Sequence, residues 1–325
     1  MIAVSGAGGF IGGALERIAG VDVPLRGLFS EEGEASRRWR ERGREVVLGT
    51  LEDPAALAAL VARARAVVHL AAYGGKRDPE RSRRVNVTGS TALVRAAAAA
   101  GVKRFVHVSS ISVYAATPAP GGVITEAVPP RRVERLNPYS ASKYESEGAV
   151  RAAAEEAGGA LEVVVVRPTN VYGPGGRAWF LDWVRRLHRL GVVPGGNVAV
   201  DLIHVDDLVR GLLRSVQAPG IAGEVLHLGH EPVPIADFCV AIGAGLGVRV
   251  RHLPRPLDAL VRHGREWAYR GLRGHVLSTP LTRRVRFPHD KAERMLGFRP
   301  EISWREGVAR TVAWYRNATL SGDGP

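Results

Sequence analysis

The chain has 325 residues, 46% of them hydrophobic, enough for one large domain or two modest ones around a substantial core. The formal charge is +13, mostly arginine, but the basic stretch Arg37–Arg44 is broken by Glu41 and does not alternate with several aromatics, so no nucleic-acid partner is expected. Cys239 is the only cysteine, which excludes an intrachain disulfide; no apolar run could span a bilayer and no leader-like pattern precedes the first strand, so a cytoplasmic protein with no membrane partner is expected.

Ile2-Ala3-Val4-Ser5 predicts a buried strand that runs into Gly6-Ala7-Gly8-Gly9-Phe10-Ile11-Gly12. Glycines 6, 9 and 12 fit a Gly-x-x-Gly-x-x-Gly loop between a strand and a helix. They serve a tight turn, close backbone approach to a pyrophosphate and close helix–strand packing. The helix from about Gly9 to Ala19 points its amino end at the phosphates. A dinucleotide is therefore expected, held at Gly6, Gly9, Phe10, Ile11 and Gly12. Leu25 to Phe29 predicts the second strand, ending at Ser30, where an acidic residue would normally hold the adenosine ribose. Serine leaves room for a 2′-phosphate, which Arg37 or Arg38 could pair. Against this, Glu31 could replace the missing acid and the arginines could be solvated helix charges. The reading leans by a small margin to NADP over NAD.

Glu45 to Leu48 predicts a third strand, Asp53-Pro54 a helix start and Ala66 to Leu70 a fourth strand. His69 lies inside that apolar run and is expected to be a core histidine. Leu70, Ala71, Ala72 and Tyr73 follow at the carboxyl end, where open α/β sheets bind ligands. A helix is predicted from Asn86 through Ala100, and a fifth strand from Phe105 to Ser110. Val163 to Val166 is the sixth. Strands alternating with helices imply a parallel sheet covered on both faces. Beyond Pro168 the regularity loosens. Ala178 to Leu190 predicts a helix, Gly195-Gly196 a turn, and Asp206-Asp207 the cap of a helix through Val216. Glu224 to Leu228 could rejoin the sheet. Ile235 to Leu246 is an apolar helix-like run with Cys239 as a buried thiol, and two helix-like runs flank Pro300. The boundaries are 1–168 for the dinucleotide-binding part and 169–325 for the rest, with about 200–230 returning to the sheet. No metal site is expected.

The chemistry is expected at Tyr139-Ser140-Ala141-Ser142-Lys143, in a helix from about Tyr139 to Ala157. Tyrosine and lysine four apart share one helix face. There the ammonium is expected to favour the phenolate and lower the tyrosine pKa. Lysine is scarce, at positions 76, 103, 143 and 291 only. Ser109 and Ser110 end the fifth strand at the same edge as the glycine loop, where either hydroxyl could meet a substrate oxygen.

These residues resemble an extended short-chain dehydrogenase/reductase of the NAD-dependent epimerase/dehydratase superfamily. The matches are Gly6-x-x-Gly9-x-x-Gly12, Val67-Val68-His69-Leu70-Ala71-Ala72, Asn86-Val87-x-Gly89, Val108-Ser109-Ser110 with Val113-Tyr114, the Tyr139-to-Lys143 stretch, Arg167-Pro168-Thr169-Asn170-Val171-Tyr172-Gly173-Pro174, Ile203-His204-Val205-Asp206-Asp207-Leu208, and Asp290-Lys291-Ala292 with Leu296-Gly297-Phe298. The resemblance implies an α/β fold: a Rossmann-type doubly wound parallel sheet with a smaller, mixed C-terminal substrate-binding region. It implies Tyr139 as acid/base, Lys143 holding the nicotinamide ribose and lowering the tyrosine pKa, and Ser110 orienting the reacting oxygen. Ser30, Arg37, Leu70, Ala71, Ala72, Asn86, Ser109, Pro168 and Thr169 complete the cofactor candidates; Tyr73, Ser110, Ser112 and Asn170 are the substrate candidates. A homodimer through the helix after Asn86 and the tyrosine helix is implied too.

Departures from the family pattern bear on substrate. Nucleotide-sugar dehydratases carry an Asp-Glu pair where this chain has Ile111-Ser112, which removes the acid and base of water elimination. Val200 and Pro280 stand where many nucleotide-sugar members place diphosphate-binding arginines, although Arg283, Arg284 and Arg286 lie near and Asn170 matches a sugar-nucleotide contact. The tail from Leu277 to Leu296 is similar to bacterial 3β-hydroxysteroid-dehydrogenase-like members. The expectation is an NAD(P)-dependent oxidoreductase acting on a secondary alcohol or ketone. The alternative is a nucleotide-sugar epimerase or 4-ketoreductase; the alternative of another class is a cofactor-sensing regulator or RNA-binding protein, against which the Tyr139–Lys143 pair argues.

Overall fold

The computed structural model describes residues 1–75, 78–131, 137–176, 184, 187, 191–193, 199–252 and 285–320. Seven strands form one parallel sheet: β1 (Ile2–Ser5), β2 (Leu25–Phe29), β3 (Glu45–Leu48), β4 (Ala66–His69), β5 (Arg104–Val108), β6 (Glu162–Pro168) and β10 (Val225–Leu228). Their order is β10-β6-β5-β4-β1-β2-β3, every pair parallel. The chain therefore winds outward from β1 in both directions. The crevice at that reversal lies above the carboxyl ends of β1 and β4, the place where such sheets hold ligands.

Both faces of the sheet are covered, so its strands are apolar runs whose side chains part alternately. Val4, Val68, Val106, Val164 and Val166 point into one layer with Leu15 of α1 (Phe10–Ile18), Trp39 of α2 (Glu34–Glu41) and Leu208 and Leu212 of a later helix, Val205–Gln217. Their neighbours Ala3, Val67, Phe105, Val163 and Val165 point into the other layer, built from α3 (Pro54–Val61), α5 (Ser90–Ala99) and α6 (Pro138–Glu156). Asp53 starts α3 as read, its carboxylate accepting from the amides of Ala55 and Ala56 at 2.9 and 3.2 Å.

The helix predicted from Asn86 begins earlier. α4 (Pro79–Arg83) runs through a π-helical turn, Arg84–Gly89, into α5. Asp78 caps it through the Arg81 amide at 2.9 Å, repeating the Asp-Pro start signal of α3. Asn86 thus sits mid-helix, in the kind of turn that recurs at functional sites. Asp206-Asp207 do not cap the helix that follows them. The Nδ1 of His204 caps α7 (Val205–Gln217) by accepting from the Asp206 amide, and the acids fall in the first turn, where the helix dipole favours them. Asp207 accepts from the amides of Glu301 and Ile302, both at 3.1 Å, and so ties down the C-terminal segment.

A smaller mixed sheet has the order β11-β9-β7, from Asn170–Tyr172 (β7), Ala199–His204 (β9) and Pro232–Pro234 (β11). A parallel pair, Val192–Val193 (β8) and Arg251–His252 (β12), lies apart from it. Helix α8 (Ile235–Leu246) packs Phe238, Cys239 and Ile242 into this region's core together with Val308 and Val312 of α10 (Trp304–Leu320). α9 (Asp290–Leu296) instead returns Ala292 and Leu296 to the main core. Burial pushes the Cys239 thiol up to about 12, as an inert core thiol requires. The predicted helix 178–190 and turn at Gly195-Gly196 lie largely outside the described residues. Among those described, no helix is long and apolar enough to cross a membrane.

Candidate active site

The glycine loop is shaped by contacts that exclude side chains. Gly6 has φ +70°, and a Cβ there would stand 2.7 Å from the Ala71 amide nitrogen. A Cβ on Gly12 would stand 2.5 Å from the carbonyl oxygens of both Gly6 and Ala7. The loop is thereby pressed against the end of β4 and against its own helix. No side chain caps α1 and no acid lies in its first turn. Its leading amides and positive dipole end therefore face the crevice, which fits a pyrophosphate. Ser30 and Arg37 are exposed beyond β2. Arg38 spans Glu34 and Gly13, while Arg40 is tied to Glu32 at 2.6 Å.

At the end of β5, Ser110 caps a short 3-10 turn, Ile111–Tyr114, and its Oγ accepts from the Ser112 amide at 3.1 Å. The Ser110 side chain also acts on Tyr139, placed by the first turn of α6, and lowers the pKa of its phenol. Asn137 starts α6 by accepting from the Ser140 amide at 3.0 Å, and Pro138 follows it in the first turn. This fixes the register that turns Tyr139 toward Ser110.

The electrostatics differ from the spacing-based expectation. Burial pushes the Tyr139 phenol above its ordinary range, and the opposing influence is the hydrogen bond from Ser110, not Lys143. The reason is where the lysine goes: its Nζ donates to the carbonyl of Val108 at 2.8 Å. Burial lowers Lys143 to about 8, with the Glu147 carboxylate working against that fall. Beneath it, His69 and His107 stack in the sheet at 5.4 Å between ring centres. His69 is neutral, driven down to about 3 by burial and then by Lys143, and its nitrogens meet Ser5 at 2.5 Å and Ser90 at 2.7 Å. It is a core histidine, as read.

The remaining candidates divide by what holds them. Leu70 takes its amide to Ser5 O at 3.1 Å, and Ala71 closes on Gly6. Asn86 accepts from the Tyr73 amide at 2.7 Å and donates to the Tyr73 carbonyl at 3.1 Å and to Ser142 Oγ at 2.8 Å. Its amide therefore ties the post-β4 loop to α6. Ser109, Ser112 and Thr169 have buried hydroxyl oxygens with no hydrogen-bond partner among the described residues. Ser109 and Thr169 lie at the ends of adjacent strands, and orphaned hydroxyls at this edge fit a polar ligand such as a nicotinamide. Tyr73 carries the Arg81 guanidinium 4.6 Å from its ring centre. Asn170 is turned to the Asp201 carbonyl at 3.0 Å. Val200 is 2% exposed and packed in the apolar core of the smaller region. Pro280, Arg283 and Arg284 lie outside the described residues; Arg286 is exposed, with its backbone paired to Gly122 and Ile124.

Sequence reasoning did not single out Glu147, Arg167 and His227 as a group. Only Lys143-to-Glu147 spacing signalled any of it; the other contacts join residues far apart in the chain.

A model of the NAD dependent epimerase/dehydratase family matches residues 2–229. With that match and this geometry, the chain belongs to that family, the extended short-chain dehydrogenase/reductases, and is an enzyme of the oxidoreductase type. Its similarity extends to a ceramide reductase of Caulobacter vibrioides, 32% identical over 98% of this chain and 95% of that protein. A UDP-glucuronate 4-epimerase of Thermodesulfobacterium geofontis is 29% identical over 77% of this chain and 72% of that one. A double mutant of a dTDP-glucose 4,6-dehydratase from Streptomyces venezuelae, solved with NAD bound, is 29% identical, covers 98% of both chains and gives a TM-score of 0.77.

Proposed function

We propose that this enzyme uses NAD to move a hydride to or from one carbinol carbon of a nucleotide sugar, as an epimerase or 4-ketoreductase. The observation that carries this reading is the pairing of Ser110 with Tyr139, whose phenol it influences, at the same sheet edge as the phosphate-shaped glycine loop. When bound, the nicotinamide accepts or donates the hydride. Ser110 and Tyr139 would hold the substrate oxygen between them. Tyr139 would take the hydroxyl proton as the carbonyl forms and return it in the reverse direction. Lys143 would supply a positive charge beneath the pair and a donor for the cofactor ribose. Gly6, Gly9, Phe10, Ile11 and Gly12 would carry the pyrophosphate, and Ser109 and Thr169 would face the nicotinamide end. NAD is the ligand named for the solved relative; the lean to NADP drawn from Ser30 and Arg37 gains no support from the relatives.

The dehydratase relative does not transfer its elimination step. Ile111 is buried and apolar, and Ser112 offers no carboxylate, so no acid–base pair stands where water elimination needs one.

A second reading, reduction of a ketone that carries no nucleotide, is favoured by Val200. A buried valine faces apolar core where a diphosphate would call for a cation, and the ceramide reductase relative aligns along nearly the whole chain. Calorimetric titration of UDP, dTDP and their glucose conjugates into NAD-loaded protein separates the two. Micromolar binding is expected for the nucleotide-sugar reading. Absence of binding by all of them, with NADH oxidation on long-chain ketones, would replace it with the second.

A further inference from the structure

One helical turn beyond Lys143, α6 carries a buried acid that the proposed reaction does not use. Glu147 is 7% exposed and receives Nε and Nη2 of Arg167, on β6, at 2.9 and 2.5 Å. Arg167, 4% exposed, gives its Nη1 to the Tyr114 hydroxyl and lies 4.8 Å over that ring. The Tyr114 hydroxyl meets Nε2 of His227, on β10, at 3.1 Å, and the His227 amide donates to Glu126 at 2.9 Å. The acid is therefore fixed from three directions of the fold: its own helix, the neighbouring strand and, through Tyr114, the far edge of the sheet.

The charges around Lys143 give this acid a purpose. Among the described residues, α6 contributes Tyr139 and Glu147, with Arg151 further along; β4 contributes His69, β5 His107 and β6 Arg167. Both histidines are held neutral by burial. An ammonium enclosed in such a place loses its proton unless an anion offsets the lost hydration. Glu147, four residues on, shares its helix face and is the anion whose field reaches it. The two-pronged guanidinium contact holds the acid in place.

We propose that Glu147, clamped by Arg167 and Tyr114, is a positioning residue that keeps Lys143 charged and seated on the Val108 carbonyl. This rests on the role given above to Lys143, but its test does not depend on turnover. The four lysines of the sequence make [13Cε]lysine labelling of the full chain simple to read, with Lys143→Arg used only for assignment. In the wild type the Lys143 signal is expected to titrate near 8. In Glu147→Gln its midpoint falls by about one pH unit or more, and in Glu147→Asp, which draws the charge back by one methylene, by less. Should Glu147→Gln fail to fold, the fall in Glu147→Asp stands as the test. A midpoint that stays put in a folded variant overturns the proposal. The same variants are expected to move the alkaline limb of kcat to lower pH. If the lysine midpoint falls while that limb does not move, the charge pairing holds and the catalytic reading of Lys143 fails.

Discussion

The ammonium of Lys143 is bonded to the carbonyl of Val108, 2.8 Å away, rather than lying free beside Tyr139. This contact anchors the second turn of α6 to the end of β5, so the strand that leads to Ser110 and the helix that carries Tyr139 are joined directly. The lysine becomes a fixed charge, and the job of adjusting the tyrosine falls to Ser110.

Removing the phenol hydroxyl tests the acid/base assignment. Tyr139→Phe is expected to lower hydride transfer by about 10²–10⁴-fold while NAD binding persists, since the glycine loop is untouched. Stopped-flow absorbance of the reduced nicotinamide measures it. Retention of wild-type hydride transfer would remove Tyr139 from the chemistry.

Ser110 has a signed effect on pH dependence. Burial raises the Tyr139 pKa and the Ser110 hydrogen bond lowers it, so Ser110→Ala leaves burial unopposed. The pH at which alcohol oxidation switches on is expected to rise, and the rate at neutral pH to fall, with Ser110→Thr restoring both in part. A kcat/KM profile whose rising limb is the same in wild type and Ser110→Ala would contradict this.

Adjacent glycines in α1 separate packing from propensity. Gly12→Ala places a methyl 2.5 Å from two main-chain oxygens, whereas at Gly13 the first atom met is the tip of Arg38 at 3.5 Å. The former is expected to cost about 1–3 kcal/mol and weaken NAD binding; the latter should be neutral or better. Thermal melts with and without NAD report both, and equal behaviour of the two variants would refute the packing account.

Buried neutral histidines make the fold sensitive to acid. His69 and His227 have folded pKa values near 3, below the usual 6.5, in each case chiefly through burial. The unfolded chain therefore takes up protons first. Their stabilising contribution is complete above about pH 6.5 and is lost progressively as pH falls toward 3. Between pH 7 and pH 5 the loss is about 2 kcal/mol for each. Urea unfolding at the two pH values measures it, and His69→Gln should make the dependence shallower. A stability that is flat over this interval would show that these histidines are charged in the fold or protonate freely.

Most of what is local was already present in the sequence. β1, β2 and β3 are short apolar runs with turn residues on either side, and the glycine loop demands its conformation wherever it is placed, because only glycine fits at φ +70° against Ala71. The helix before Asn86 was less legible, since Arg84–Gly89 is rich in weak helix formers and only Asp78-Pro79 marked its start. Tyr139 and Lys143 could be paired from spacing alone, being one helical turn apart. What the lysine does there could not, because its partner is a carbonyl 35 positions away on a different element. The same holds for Arg167 with Glu147 and for Tyr114 with His227, 20 and 113 positions apart. Periodicity and glycine chemistry are properties of a few consecutive residues, and so the sequence determined the strands, the loop and the tyrosine helix. Desolvation and charge pairing depend on what the whole sheet brings into one buried volume, and that was decided only when the strands took their order.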